Sequence, residues 1–226
     1  MNNNRIIIHQ ALCQSSAVAC GGCANYESSR LVRTFAVKLA LGKRLCKSVG
    51  APLFFPNVAV VTDTEEAVER FAMGRVMKTL GVAEWPRKRL RVICVRKLGR
   101  LDAHVAEIVT QLKALDAHVV AVPYFTAFCD PADASSHRVI DVVRRLRHAG
   151  MAVIYATPNF KDGRELDVPD DELRDVDPYF RNADLSLFVH GGRLTRIYNS
   201  LVHSHKVTEP CVDNRYGIFM PEEVAK

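Results

Sequence analysis

The chain has 226 residues, 48% apolar and 25% charged, with a net charge of +6 and a pI near 9.0, proportions that exclude a disordered, collagenous or low-complexity protein. Its longest apolar stretch, 117–128, is broken by His118 and Pro123 and is too short to span a bilayer, and the region around Ile6-Ile7-Ile8 makes a poor signal peptide. Seven scattered cysteines suit a reducing compartment, nucleus or cytoplasm, better than a disulfide framework.

In chain order, the first strand is Ala17-Val18-Ala19-Cys20, running into Gly21-Gly22-Cys23-Ala24-Asn25-Tyr26-Glu27-Ser28-Ser29. A helix is expected from Arg30, with Leu31, Phe35 and Leu39 on one apolar face beside Val32 and Ala36. Strand, glycine-led loop and helix is the setting of a phosphate-binding loop, whose motif is G-x-x-x-x-G-K-[ST]. Counted from Gly22, the second glycine is Glu27 and the lysine is Ser28, while the hydroxyl position is kept as Ser29. Gly22, Ser28 and Ser29 are therefore the candidate nucleotide-binding residues of a degenerate P-loop.

Further strands are expected at Val58–Val61, Leu90–Val95, Val119–Val122 and Met151–Ala156, with helices at about 65–80, 101–115 and 137–149. That alternation calls for an α/β fold with a mainly parallel twisted sheet and helices on both faces. After residue 180 the pattern becomes strands joined by short turns: Ala183–Val189, the Gly191-Gly192 turn, Leu194–Asn199 and a last strand near Gly217–Met220. The glycine pair between two β runs is a hairpin signal. A single domain, 1–226, with one long irregular stretch at 159–179, is expected.

Taken in order, these segments resemble the ATPase core of the eukaryotic and archaeal RecA-type recombinases and their paralogues. The helix Thr34–Leu41 (TFAVKLAL) is similar to the one after that family's P-loop. Val60–Glu65 (VVTDTE), followed by Glu69-Arg70, is similar to its second strand. Residues 119–128 (VVAVPYFTAF) sit where the family has its Walker B strand. Residues 150–154 (GMAVI) resemble the strand leading to its sensor, and 183–200 with Tyr216-Gly217-Ile218 resemble its terminal antiparallel strands. The resemblance implies a RecA-like P-loop NTPase fold with a C-terminal antiparallel hairpin, and it covers nearly the whole chain.

The departures are systematic. Ser28 stands where a lysine should neutralise the β- and γ-phosphates, and Glu27 would bring a like charge towards them, costing about 1–4 kcal/mol at 4 Å. Pro123 replaces the Walker B aspartate, and Thr157-Pro158 occupies the sensor position. Of the catalytic set only Glu65, matching the water-activating glutamate, remains. Phosphoryl transfer rests on positioning and charge neutralisation, so hydrolysis is not expected. No cofactor is expected either, and tight ATP and Mg²⁺ binding is not anticipated.

The family binds DNA through two loops. Here the first (129–136) carries no Lys or Arg, and the second holds eight acids against three basic residues, a net of −5 that repels a phosphate backbone. DNA contact, if made, runs elsewhere. Arg87, Lys88, Arg89, Arg91, Arg96, Lys97 and Arg100 cluster around the third strand beside Trp85, either as a nucleic-acid patch or as guards of an edge strand. Cys20-Gly-Gly-Cys23 suggests zinc, but nothing in the sequence brings a second ligand pair such as His203 and His205 close, and no metal is expected.

The resemblance then implies a non-hydrolysing recombinase-paralogue subunit, without the family's N-terminal helical DNA-binding domain. It would assemble with other RecA-like subunits in homologous recombination and DNA repair, with no membrane. The alternatives are an Elongator-accessory-type subunit in tRNA modification, or a DNA-dependent ATPase with a non-standard site.

Overall fold

Strand β3 (Ala17–Gly22) is buried along its whole length, as a strand covered on both faces must be. The computed structural model describes residues 6–8, 11–22, 25–95, 100–129, 136–157, 178–199 and 207–224. Before β3 come β1 (Ile6–Ile8) and β2 (Leu12–Cys13), a small antiparallel pair. After it follow α1 (Asn25–Ala40), β4 (Val58–Thr62), α2 (Glu66–Thr79), β5 (Leu90–Cys94), α3 (Leu101–Ala114), β6 (Val119–Val122), α4 (Ser136–His148) and β7 (Ala152–Ala156). The chain ends in β8 (Leu185–His190), β9 (Arg193–Asn199), β10 (Val207–Pro210), β11 (Val212–Asp213) and β12 (Ile218–Phe219), with helical turns at Pro178–Arg181 and Pro221–Val224.

The main sheet has eight strands in the order β10-β9-β8-β3-β7-β6-β4-β5. The six from β8 to β5 are parallel, and at the far edge β9 pairs antiparallel with β8 and β10 antiparallel with β9. Gly191 and Gly192 turn β8 into β9 at φ +55° and +73°, a conformation glycine adopts at no steric cost. The expected α/β architecture, mostly parallel with a C-terminal antiparallel hairpin, is therefore present.

Side chains of the parallel strands alternate between two apolar layers, as the two-residue period of a pleated strand requires. Val18, Cys20, Val58, Val60, Val119, Ala121 and Ile154 face α1 and α2. Ala17, Ala19, Ala59, Val61, Val120, Val122 and Tyr155 face α3 and α4. Ile7 and Ile8 join the first layer as core residues, while Ile6 is exposed.

Helix α1 begins at Asn25, not at Arg30 as expected, because the glycine pair that suggested a loop lies inside β3. Each glycine answers a close approach. A Cβ on Gly21 would stand 2.5 Å from the Phe180 ring, and one on Gly22 would stand 2.7 Å from the Cβ of Glu27. Helix α1 is also more deeply covered than a one-faced amphipathic helix: every residue from Leu31 to Ala40 is buried.

Candidate functional site

In parallel α/β sheets, ligands bind at the carboxyl ends of the strands, and that edge is where the segments expected to carry the P-loop, Walker B and sensor positions meet. Adjacent strands β3, β7 and β6 end at Gly22, Ala156 and Val122, and β4 ends beside them at Thr62. The Thr157 amide donates to the Cys20 carbonyl at 2.9 Å, so the expected P-loop and sensor positions are neighbours. The Thr157 side-chain hydroxyl, also buried, has no hydrogen-bond partner among the described residues.

The early start of α1 decides what the P-loop position can do. Glu27, Ser28 and Ser29 lie in its first turns, and only Cys23 and Ala24, outside the described residues, separate β3 from the helix. Ser28 and Ser29 are both buried, and the Ser29 hydroxyl donates to the Tyr26 carbonyl at 3.0 Å. Glu27 packs against Gly22, where a phosphate-cradling turn would need open backbone. The acidic side chain does sit favourably for the helix dipole.

A charged cluster that the sequence motifs did not single out lies at the same edge. Arg33 of α1 donates through Nε and Nη2 to the two carboxylate oxygens of Glu69 on α2, at 2.7 and 3.1 Å. Its Nη2 also donates to the Tyr124 hydroxyl at 2.6 Å. Tyr124 directly follows Pro123, so the cluster ties α1 and α2 to the end of β6. Burial pushes the Arg33 guanidinium pKa down, but the hydrogen bonds and charge of Glu69, with Tyr124, outweigh it and hold the group above its ordinary value. An arginine in the middle of an apolar helical run was the available signal, since such a residue needs a buried partner.

Glu65, the expected catalytic remnant, is exposed at the N-terminal boundary of α2, where its carbonyl accepts the amides of Val68 and Glu69. The buried carboxylate of this region is Glu69, one helical turn further on.

The basic cluster is divided by the fold. Arg87, Lys88 and Arg89 occupy the turn before β5 and Arg91 lies within that strand, at the amino-end side of the sheet. Arg100 sits at the start of α3, on the other side, and donates to the carbonyls of Thr126 and of Cys129. Arg96 and Lys97 lie outside the described residues, as do most of the two expected DNA loops and Cys23, His203 and His205. Cys20 is a fully buried core thiol whose pKa burial drives well upward.

Two other buried polar groups on α1 fasten the C-terminal segment. The Thr34 hydroxyl accepts the Ile218 amide at 3.0 Å, and Lys38 donates to Glu223 at 2.6 Å and to the Leu45 carbonyl at 2.9 Å. Asp184 accepts the Ala17 amide at 2.8 Å and pairs with Arg147 at 3.0 Å, anchoring the start of β3. No protein-family model matches this chain, and no curated protein matches it significantly.

Proposed function

We propose that this chain is a RecA-like subunit that no longer hydrolyses nucleotide and works by assembling with other RecA-like proteins, in the manner of a recombinase paralogue in homologous recombination and DNA repair. The observation that carries the reading is the start of α1 at Asn25. It buries Ser28 and Ser29 and sets Glu27 against Gly22, which leaves the phosphate position filled by the protein itself. The Arg33–Glu69–Tyr124 cluster occupies the adjoining edge, and the mainly parallel sheet ending in an antiparallel hairpin is consistent with the resemblance.

An assembly role is supported by an exposed aromatic and arginine-rich face. Phe71 is 62% exposed on α2, with Val68 beside it, and its ring meets Tyr216 edge-on at 6.3 Å. Arg75 and Arg215 flank the same Tyr216 ring, at 4.9 and 5.8 Å. Aromatic and arginine side chains are the types enriched at protein interfaces.

Melting the protein across a Mg-ATP titration tests the loss of nucleotide binding. No shift is expected, and a stabilisation of several kcal/mol at saturating ligand would overturn it. Affinity purification from cells tests the assembly: RecA-like recombination proteins are expected as partners, whereas recovery of the tRNA-modification machinery would favour the Elongator-type alternative.

A further inference from the structure

We infer that the cleft around Trp85, beside the edge strand β5, is a binding site for single-stranded nucleic acid. Trp85 stands between two depressions. One of about 630 Å³ is lined by Pro86, Arg87, Lys88 and Arg89 with Glu84, and one of about 530 Å³ by Arg70, Arg87, Leu90 and Arg91. The indole is held in place, since its Nε1 donates to the Leu90 carbonyl at 3.1 Å. The turn that carries the cations is fixed as well: the Arg89 and Leu90 amides both donate to the Pro86 carbonyl, at 2.8 and 2.9 Å.

Guarding an edge strand does not account for this arrangement. Strand β5 does end the sheet, but of the four cations Arg87, Lys88, Arg89 and Arg91 only Arg91 lies on it. Arg87, Lys88 and Arg89 project from the turn that precedes it. None of the four has an acidic partner within ion-pair distance among the described residues, so their charge is available to a ligand.

Aromatic surface accompanies the charge. The Arg89 guanidinium lies over the Phe55 ring at 4.1 Å, and Phe55 is still 53% exposed. Arg70, itself paired with Glu66, covers Trp85 at 5.5 Å. Cations spaced around aromatic and guanidinium planes fit a strand whose phosphates meet the charges while its unpaired bases stack. A duplex hides its base faces, and an acidic peptide has none to offer.

Trp85 is the sole tryptophan, so its fluorescence reports on the cleft directly. The full chain is titrated with a sixteen-residue oligothymidylate across a salt series. Quenching is expected, with affinity falling steeply as salt rises. The R87E/K88E/R89E variant is expected to bind at least tenfold more weakly at low salt, with a log–log salt slope shallower by about 2, and to melt as the wild type does. Phe55→Ala is expected to weaken binding about fivefold or more with the salt slope unchanged. Should the triple variant fold poorly, Lys88→Glu alone tests the same charge, with a slope change of about 0.7. Undiminished binding by these variants overturns the site. So does equal affinity for inorganic polyphosphate, polyglutamate or a duplex of the same length.

Discussion

Arg33 and Glu69 form a forked ion pair between α1 and α2, at 2.7 and 3.1 Å, in which neither side chain has appreciable access to solvent. Removing one partner leaves the other charge buried and uncompensated. Either single change, Arg33→Met or Glu69→Leu, is expected to cost about 3–5 kcal/mol, whereas the double variant R33M/E69L should cost far less than the two together. Denaturant unfolding of the four proteins checks this. Additive effects would show that the pair is not the unit that joins the helices.

The proposed P-loop position invites an attempt at repair by Ser28→Lys. In this fold the change puts an ammonium where the native side chain is 2% exposed, inside the first turns of α1. The expected outcome is a loss on the order of 2 kcal/mol or more, with no gain of Mg-ATP binding. Thermal melting with and without Mg-ATP reads both quantities. Nucleotide-dependent stabilisation of the variant would mean that the site lacks only its lysine.

Alkaline pH should weaken the fold through Cys211, whose thiol is pushed up to about 11 by burial, with Asp213 and Glu27 adding to the effect. A raised folded-state pKa contributes stability that is complete below the thiol's ordinary 9.0 and is lost as pH climbs towards 11. Cys20 and Cys46, both raised mainly by burial, act in the same direction. Buried Lys38 acts oppositely: its lowered pKa favours folding as pH rises towards 10.5. Urea unfolding at a series of pH values should therefore show Cys211→Ala losing less stability than the wild type between pH 9 and 11. Parallel profiles would exclude the thiol as a contributor.

The exposed face built on Phe71 yields a test that separates binding from folding. Phe71→Glu changes a side chain 62% exposed, so the melting temperature should stay within the range of surface substitutions, about 0.5 kcal/mol of stability. Capture of RecA-like partners from cells should fall at least tenfold if the ring anchors the interface. Unchanged capture by a well-folded variant would place the assembly surface elsewhere.

Much of the architecture was legible in the sequence. The unbroken apolar runs Val58–Val61 and Val119–Val122 reflect strands with apolar layers on both sides, and each appears close to its expected position. The Gly191-Gly192 pair marked the turn between β8 and β9 because the positive φ there is one that glycine takes readily. These are local consequences of pleat and backbone sterics, so a short window of sequence carries them.

Tertiary packing decided the rest. Gly21 and Gly22 suggest a phosphate loop in sequence, yet in the fold they make room for Phe180 and Glu27, residues brought in by the distant turn Pro178–Arg181 and by α1 itself. The one-faced pattern of α1 did not disclose that the C-terminal segment would cover its other side and require Thr34 and Lys38 to find partners at Ile218 and Glu223. Nor could spacing divide Arg87–Arg91 from Arg100, which β5 carries to opposite ends of the sheet. The sequence determined which segments become strands and helices, because period and sterics act locally. Which polar groups meet at the sheet's edge was decided by strand order, a property of the whole chain.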